Sequence, residues 1–288
     1  MTVPETATAP PAGAPQPVAA PAWPGRLLRA ELLKLRTTRT GWITVLVAAV
    51  AVLALTVLIT VTAGMTFNGQ SKPSTPAPSD PGTLRTIYGL PFSIASTVAL
   101  ALGVLAMTGE FRYQTITPSL LAAPRRVQLV VAKIGAQVVQ AVLAAAALLA
   151  VGGATAMVVL AARNYGPGLA ADGVLRTIVL TFPGTAVWAV VGVGVGTLIR
   201  NQVAALVTAL SWHLMVEGIL VLALSAIPVG RDIAPYLPGP ASSAIVTDDT
   251  TNSSVHYLPW WGGSLVLLGY GLVFAAFGLI TTLRRDIS

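Results

Sequence analysis

Residues 42–63, WITVLVAAVAVLALTVLITVTA, hold no charged side chain. Twenty-two helical residues at a rise of 1.5 Å reach about 33 Å, enough to cross a hydrocarbon core roughly 30 Å thick. Five more apolar runs follow, at about 88–107, 134–161, 174–199, 203–227 and 260–282. Only 9% of the residues are charged and 55% are hydrophobic, against about 25% charged in soluble domains. The sequence therefore specifies an all-α integral membrane protein, with a six-helix transmembrane domain over 42–282. Cysteine is absent, which removes disulfide frameworks, thiolate metal sites and thiol nucleophiles.

The segments between the runs set the topology. Residues 1–22 are almost entirely Ala, Pro, Thr, Val and Gly, a composition that cannot bury enough surface to offset its ordering entropy, so a disordered tail is expected. This tail lacks the basic region of a secretory leader. In 23–40, WPGRLLRAELLKLRTTRT, Leu28, Leu32 and Leu35 recur at i, i+4 and i+7 while Arg26, Arg29 and Arg36 lie off that arc, which predicts an interfacial amphipathic helix. Glu31 intrudes on the apolar arc: it either pairs with Lys34 one turn on or contacts another protein. Residues 64–87 carry Pro73, Pro76, Pro78 and Pro81 and read as a loop. The longest polar interruption is GEFRYQTITPSLLAAPRRVQLVVAK, within a 108–133 loop, where Pro118 and Pro124 bound an expected short helix. A second polar stretch spans 228–259, Trp260 and Trp261 sit at the entry to the sixth run, and 283–288 form a short tail.

With six spans both termini share a side. Twelve of the 17 Lys and Arg residues fall on that side and five on the other. By the positive-inside rule the termini and the 108–133 loop are cytoplasmic and the 228–259 loop is external. The net charge of +7 is thereby assigned to cytoplasmic loops and lipid headgroups rather than to nucleic acid.

Catalytic signatures are missing. A phosphate-cradling Walker loop needs Gly-Lys-Ser/Thr, and the three lysines follow Leu33, Ser71 and Ala132. His213 and His256 form no recognisable metal-ligand set, and there is no Gly-x-Ser-x-Gly elbow. The chain reads as a non-enzyme with no cofactor of its own. Within the membrane, His213 and Glu217 lie four apart on the fifth run; they either line a substrate path or proton relay, or hydrogen-bond to each other and serve packing. Gly192, Gly194 and Gly196 on the fourth run, which also holds Pro183, include a small-xxx-small pair suited to close helix contact.

Taken in order, RAELLKLRTTRTGW before the first span, the central GEFRYQTITPSLLAAPRRVQLVVAK and a last span ending in LRRDI resemble the permease subunits of type 2 ATP-binding-cassette (ABC) transporters, particularly those of high-GC Gram-positive bacteria. The resemblance covers roughly residues 25–286. It implies a permease, by analogy an exporter, in the bacterial plasma membrane, working with a second permease copy and a separate cytoplasmic ABC ATPase that binds ATP and magnesium. It further implies that 109–126 is the coupling element seated in the ATPase, with Glu110, Arg112, Arg125 and Arg126 as polar contacts and Gln114, Thr115 and Leu120 shaping its packing. The 23–40 helix, with Glu31, Lys34 and Arg36, would be the connecting helix. A gradient-driven secondary transporter or channel is the alternative, and it would place ionisable residues in several spans.

Overall fold

The structure, a computed structural model, describes residues 24–65, 75–115, 126–247 and 257–281. The expected tail at 1–22, the expected helix between Pro118 and Pro124, and the end at 283–288 lie outside these residues.

Among the described residues every regular element is helical. Helix α1 (Pro24–Thr37) is followed by α2 (Arg39–Thr62), α3 (Pro81–Arg112), α4 (Arg126–Ala162) and α5 (Val174–Leu198). Next comes α6 (Gln202–Ser225), which carries a π-turn at Trp212–Val216. Short helices α7 (Pro228–Ile233) and α8 (Pro238–Val246) and the last helix, α9 (Trp260–Thr281), complete the chain. Six of these, α2 to α6 and α9, are long and apolar enough to cross a membrane, as a multi-pass membrane protein requires.

Helix ends follow local chemistry. Asp80 caps α3 by accepting from the Thr83 N–H at 3.2 Å, with Pro81 in the first position, where its missing N–H costs nothing. The helix thus starts seven residues before the expected edge, inside what reads as a proline-rich loop. Asn201 caps α6 by accepting from the Ala204 N–H at 3.0 Å, so three residues suffice to turn the chain between α5 and α6. The 108–133 segment is helical at both described ends, through Arg112 and from Arg126.

The core is the crossing of α3 and α5, each 61% buried over its apolar stretch, whereas α6 is only 17% buried. Trp188, Leu100, Val104 and Ile245 fill the centre. The helices touch backbone to backbone: a Cβ on Gly192 would lie 2.4 Å from the Leu100 carbonyl oxygen of α3. One on Gly194 would lie 2.4 Å from the Gly271 carbonyl oxygen of α9. The glycine run therefore serves two neighbours, with Gly192 and Gly196 toward α3 and Gly194 toward α9. Outside this core the helices present Leu46, Val207, Leu214, Leu222, Leu272 and Phe277 outward, apolar surface that lipid can cover.

Polar contacts identify the two ends of the bundle. At one end the Arg112 guanidinium donates to Gln202 Oε1 at 3.1 Å, joining the end of α3 to the start of α6. At the other, Arg163 donates to the Thr60 and Ala63 carbonyls at 2.6 and 2.8 Å, and the Tyr88 hydroxyl to the Pro167 carbonyl at 2.6 Å. The 228–259 stretch does not lie wholly at that surface. Helix α8 tucks in beside α5, with the Trp188 indole N–H donating to Ser242 Oγ at 2.7 Å and the Thr177 hydroxyl to the Val246 carbonyl at 3.0 Å.

Candidate functional site

Three helix ends meet at the Arg112 end of the bundle. Glu31 and Lys34 are one turn apart on α1 and so are neighbours on its surface, with nitrogen and oxygen 3.0 Å apart. Glu110 sits in the last turn of α3 on the side that also buries Met107 and Thr108. Lys133 lies two turns into α4, beside buried Leu129, Val130 and Gln137. Its four-carbon stem can pass through apolar packing and deliver the charged tip beyond it.

The tips form one cluster. Lys133 Nζ is 3.0 Å from Glu31 Oε2 and 2.9 Å from Glu110 Oε1, and Lys34 Nζ is 2.9 Å from the same Glu110 oxygen. Two carboxylates and two ammoniums sum to zero charge, and Lys133, Glu110 and Glu31 are 2%, 6% and 9% exposed. Burying such groups is costly unless each is paired and hydrogen-bonded. Here each is, and the pairs join residues 31, 110 and 133, which the chain alone would leave free to separate.

Beyond α3 the backbone turns at Gln114, whose φ of 55° is left-handed. The Thr115 hydroxyl then reaches back to Glu110 Oε2 at 2.8 Å, so the cluster also holds the start of the segment leaving α3. Lys34 is half exposed. Partial burial pulls its ammonium down, but hydrogen bonds to Glu110 and Glu31, with their charges, outweigh this and raise its pKa above 10.5. Next to the cluster opens a cleft of about 700 Å³ lined by Lys34, Thr40, Leu105, Tyr113, Gln140 and Gln202.

The sequence-predicted residues separate into three groups. Glu31, Lys34, Glu110 and Thr115 come together. Glu31 pairs with Lys34, the first of its two readings, and also reaches Lys133 of the same chain. Glu110 is buried and bonded to Lys34, Lys133 and Thr115 of the same chain. Arg112, Gln114 and Arg36 are exposed around the cluster, with Arg112 bonded to Gln202 and lying 5.7 Å over the Tyr113 ring. Leu120 and Arg125 lie outside the described residues, as does the side chain of Arg126, which opens α4. Lys133 closes the GEFRYQTITPSLLAAPRRVQLVVAK stretch, and its place in the cluster does not follow from the sequence pattern. Its signal was a single lysine within LVVAKIGAQVV, a helical apolar pattern in which a charge calls for a buried partner.

His213 and Glu217 do not bond to each other. The π-turn carries them onto separate partners: His213 Nε2 is 3.1 Å from Thr97 Oγ1 of α3, and Glu217 accepts from the Gly239 N–H of α8. Among the described residues no three His, Asp or Glu side chains gather as a metal site. No protein-family model matches this chain, and no curated protein is significantly similar to it.

Proposed function

We propose that the chain is the membrane-spanning permease subunit of an ABC transporter, an exporter in a bacterial plasma membrane, which couples to ATP hydrolysis in a separate ATPase subunit. One observation carries this: the Glu31–Lys34–Glu110–Lys133 cluster binds the helix before the first span to both flanks of the segment between the second and third. A partner gripping that segment, through exposed Arg112, Tyr113 and Gln114, would push on α3 and α4 together with α1 rather than on a loose loop. Since α3 and α5 form the tight core, such a push would reach the centre of the bundle. A protein with no nucleotide site of its own would in this way respond to nucleotide in its partner, the partner's binding energy shifting the population between two packings. The assembly would contain a second permease copy, with lipid around the outer helices.

The test is affinity purification of the tagged chain from its native membrane in mild detergent, with identification of what accompanies it and an ATPase assay. A nucleotide-binding subunit is expected, and Arg112→Glu should weaken its retention at least tenfold. A clean preparation from membranes that contain such ATPases would overturn the proposal and favour a gradient-driven transporter.

A further inference from the structure

The cleft beside the ion cluster differs in chemistry along its length. The cluster that walls it is neutral in sum but not in direction. The side chains of Glu31, Glu110 and Lys133 are 11%, 6% and 2% exposed, whereas that of Lys34 is 50% exposed. Both acids are turned inward, so the cluster charge offered to the cleft is an ammonium. Two of its three N–H donors go to Glu31 and Glu110, which leaves the third uncommitted. A second cation stands at the rim. The Arg112 guanidinium donates to Gln202 and lies over the Tyr113 ring, and both of those residues line the cleft.

Helix α4 adds an amide with nothing to bond. Lys133, Gln137 and Gln140 lie at i, i+4 and i+7, on one face of the helix, and all three line the cleft. Gln137 is 4% exposed, yet its carboxamide hydrogen-bonds to no described residue. A buried amide without a partner is costly, and the space beside this one is the cleft. The floor is apolar, formed by Leu102, Leu105 and Ala106. From Glu110 to Leu102 the cleft follows just over two turns of α3, about 12 Å, out of the polar end of the helix and into its apolar run. Exposed Trp42, beside cleft-lining Thr40 and Gly41, marks the depth at which indoles meet lipid headgroups.

We propose that this cleft binds one anionic phospholipid, its phosphate held by Lys34 and the Gln137 amide and an acyl chain laid along Leu102, Leu105 and Ala106. The volume of about 700 Å³ lies within the range of about 300–1,000 Å³ usual for ligand sites. A phosphodiester supplies the acceptors that the third Lys34 N–H and the Gln137 amide lack, the first as a charge-assisted bond. The apolar floor selects a lipid over a free phosphate. With both lining acids turned inward, the cationic end of a zwitterionic head would find no partner, which selects an anionic one. The site stands on the geometry of the cleft; that its lipid bears on coupling, by resting against the cluster, rests on the permease function proposed above.

The experiment uses the full chain in mild detergent with radiolabelled dioleoylphosphatidylglycerol, measured against micelles alone. Saturable binding is expected, displaced by the unlabelled lipid, at least tenfold less well by dioleoylphosphatidylcholine, and not by glycerol phosphate, which has the head but no chain. Gln137→Leu removes the amide without leaving a charge unpaired, so it should weaken binding at least tenfold at a thermal midpoint no lower than wild type. Lys34→Gln should weaken it as much, whereas Arg231→Gln, on α7 and outside the cleft, should not. Binding no greater than in micelles, equal competition by the phosphatidylcholine, or wild-type affinity in Gln137→Leu each overturns the site. Equal losses in Lys34→Gln and Arg231→Gln overturn it too, as general attraction of a basic protein for acidic lipid. Displacement by glycerol phosphate overturns the lipid in favour of a soluble phosphate. Recovery of an ATPase from the native membrane is scored separately. An ATPase without a lipid site overturns this inference alone, and a lipid site without an ATPase overturns only the permease.

Discussion

Lys133 is the residue on which the Glu31–Lys34–Glu110–Lys133 cluster depends. It is the only cluster ammonium that is fully buried, and it touches both carboxylates. Lys133→Met would leave Glu31 and Glu110 facing each other with half-exposed Lys34 as their remaining lysine partner. Removing one partner of a buried pair costs about 3–5 kcal/mol, and the loss should appear as a lower thermal midpoint in detergent. Lys34 makes a different prediction. Its pKa is raised in the folded state, so its contribution is fully present below the ordinary lysine value and is lost as pH rises through the folded one. Stability should therefore fall above about pH 10.5, and thermal midpoints should fall less steeply there in Lys34→Met than in wild type; equal slopes would show that the Lys34 pairs carry no stability. The cluster was half legible. Glu31 stood out as an acid on an apolar arc, and its pairing with Lys34 follows from helical spacing. The partners at 110 and 133 required knowing how three helix ends meet, which no local pattern encodes.

Among the elements, α5 packs closely on two neighbours, its glycines letting them approach on different sides. Gly192→Ala would bring a methyl group into the Leu100 backbone rather than against a movable side chain. Overpacking of this kind costs about 1–3 kcal/mol, and a larger residue such as Leu should prevent the α3–α5 crossing from forming. Gly153 of α4 has nothing within 4 Å of the same added atom, so Gly153→Ala should leave the unfolding midpoint in denaturant unchanged or slightly raised, helix propensity favouring Ala. Loss of stability in both variants alike would refute the packing account. The six runs were readable because an apolar stretch of that length with at most one charge has few uses other than crossing lipid. Helix ends were less so: the Asp80-Pro81 start of α3 is a cap signal, but it follows Pro73, Pro76 and Pro78, which read as loop. The inward tuck of α8 was hidden because Ser242 and Gly239 carry no mark of their deep partners, Trp188 and Glu217.

At the scale of the whole molecule, the cluster either holds the fold together or transmits force, and the two roles can be separated. An ion cluster replaced entirely by apolar residues of similar volume often keeps or gains stability, because no charge is left unpaired. The triple variant Glu31→Leu, Glu110→Leu, Lys133→Met removes every buried charge of the cluster and leaves only half-exposed Lys34, which water can solvate, so it should recover most of the stability that Lys133→Met loses. If the cluster is only a staple, transport and partner ATPase activity should recover with it. If it couples α1, α3 and α4 to a partner, apolar contacts that can slide past one another will not replace charge pairs fixed by geometry. The stable triple variant should then retain the ATPase yet show stimulated hydrolysis reduced at least tenfold. Measuring the unfolding midpoint and stimulated ATPase activity on one preparation decides between them, since a staple moves both together and a coupling device moves only the second.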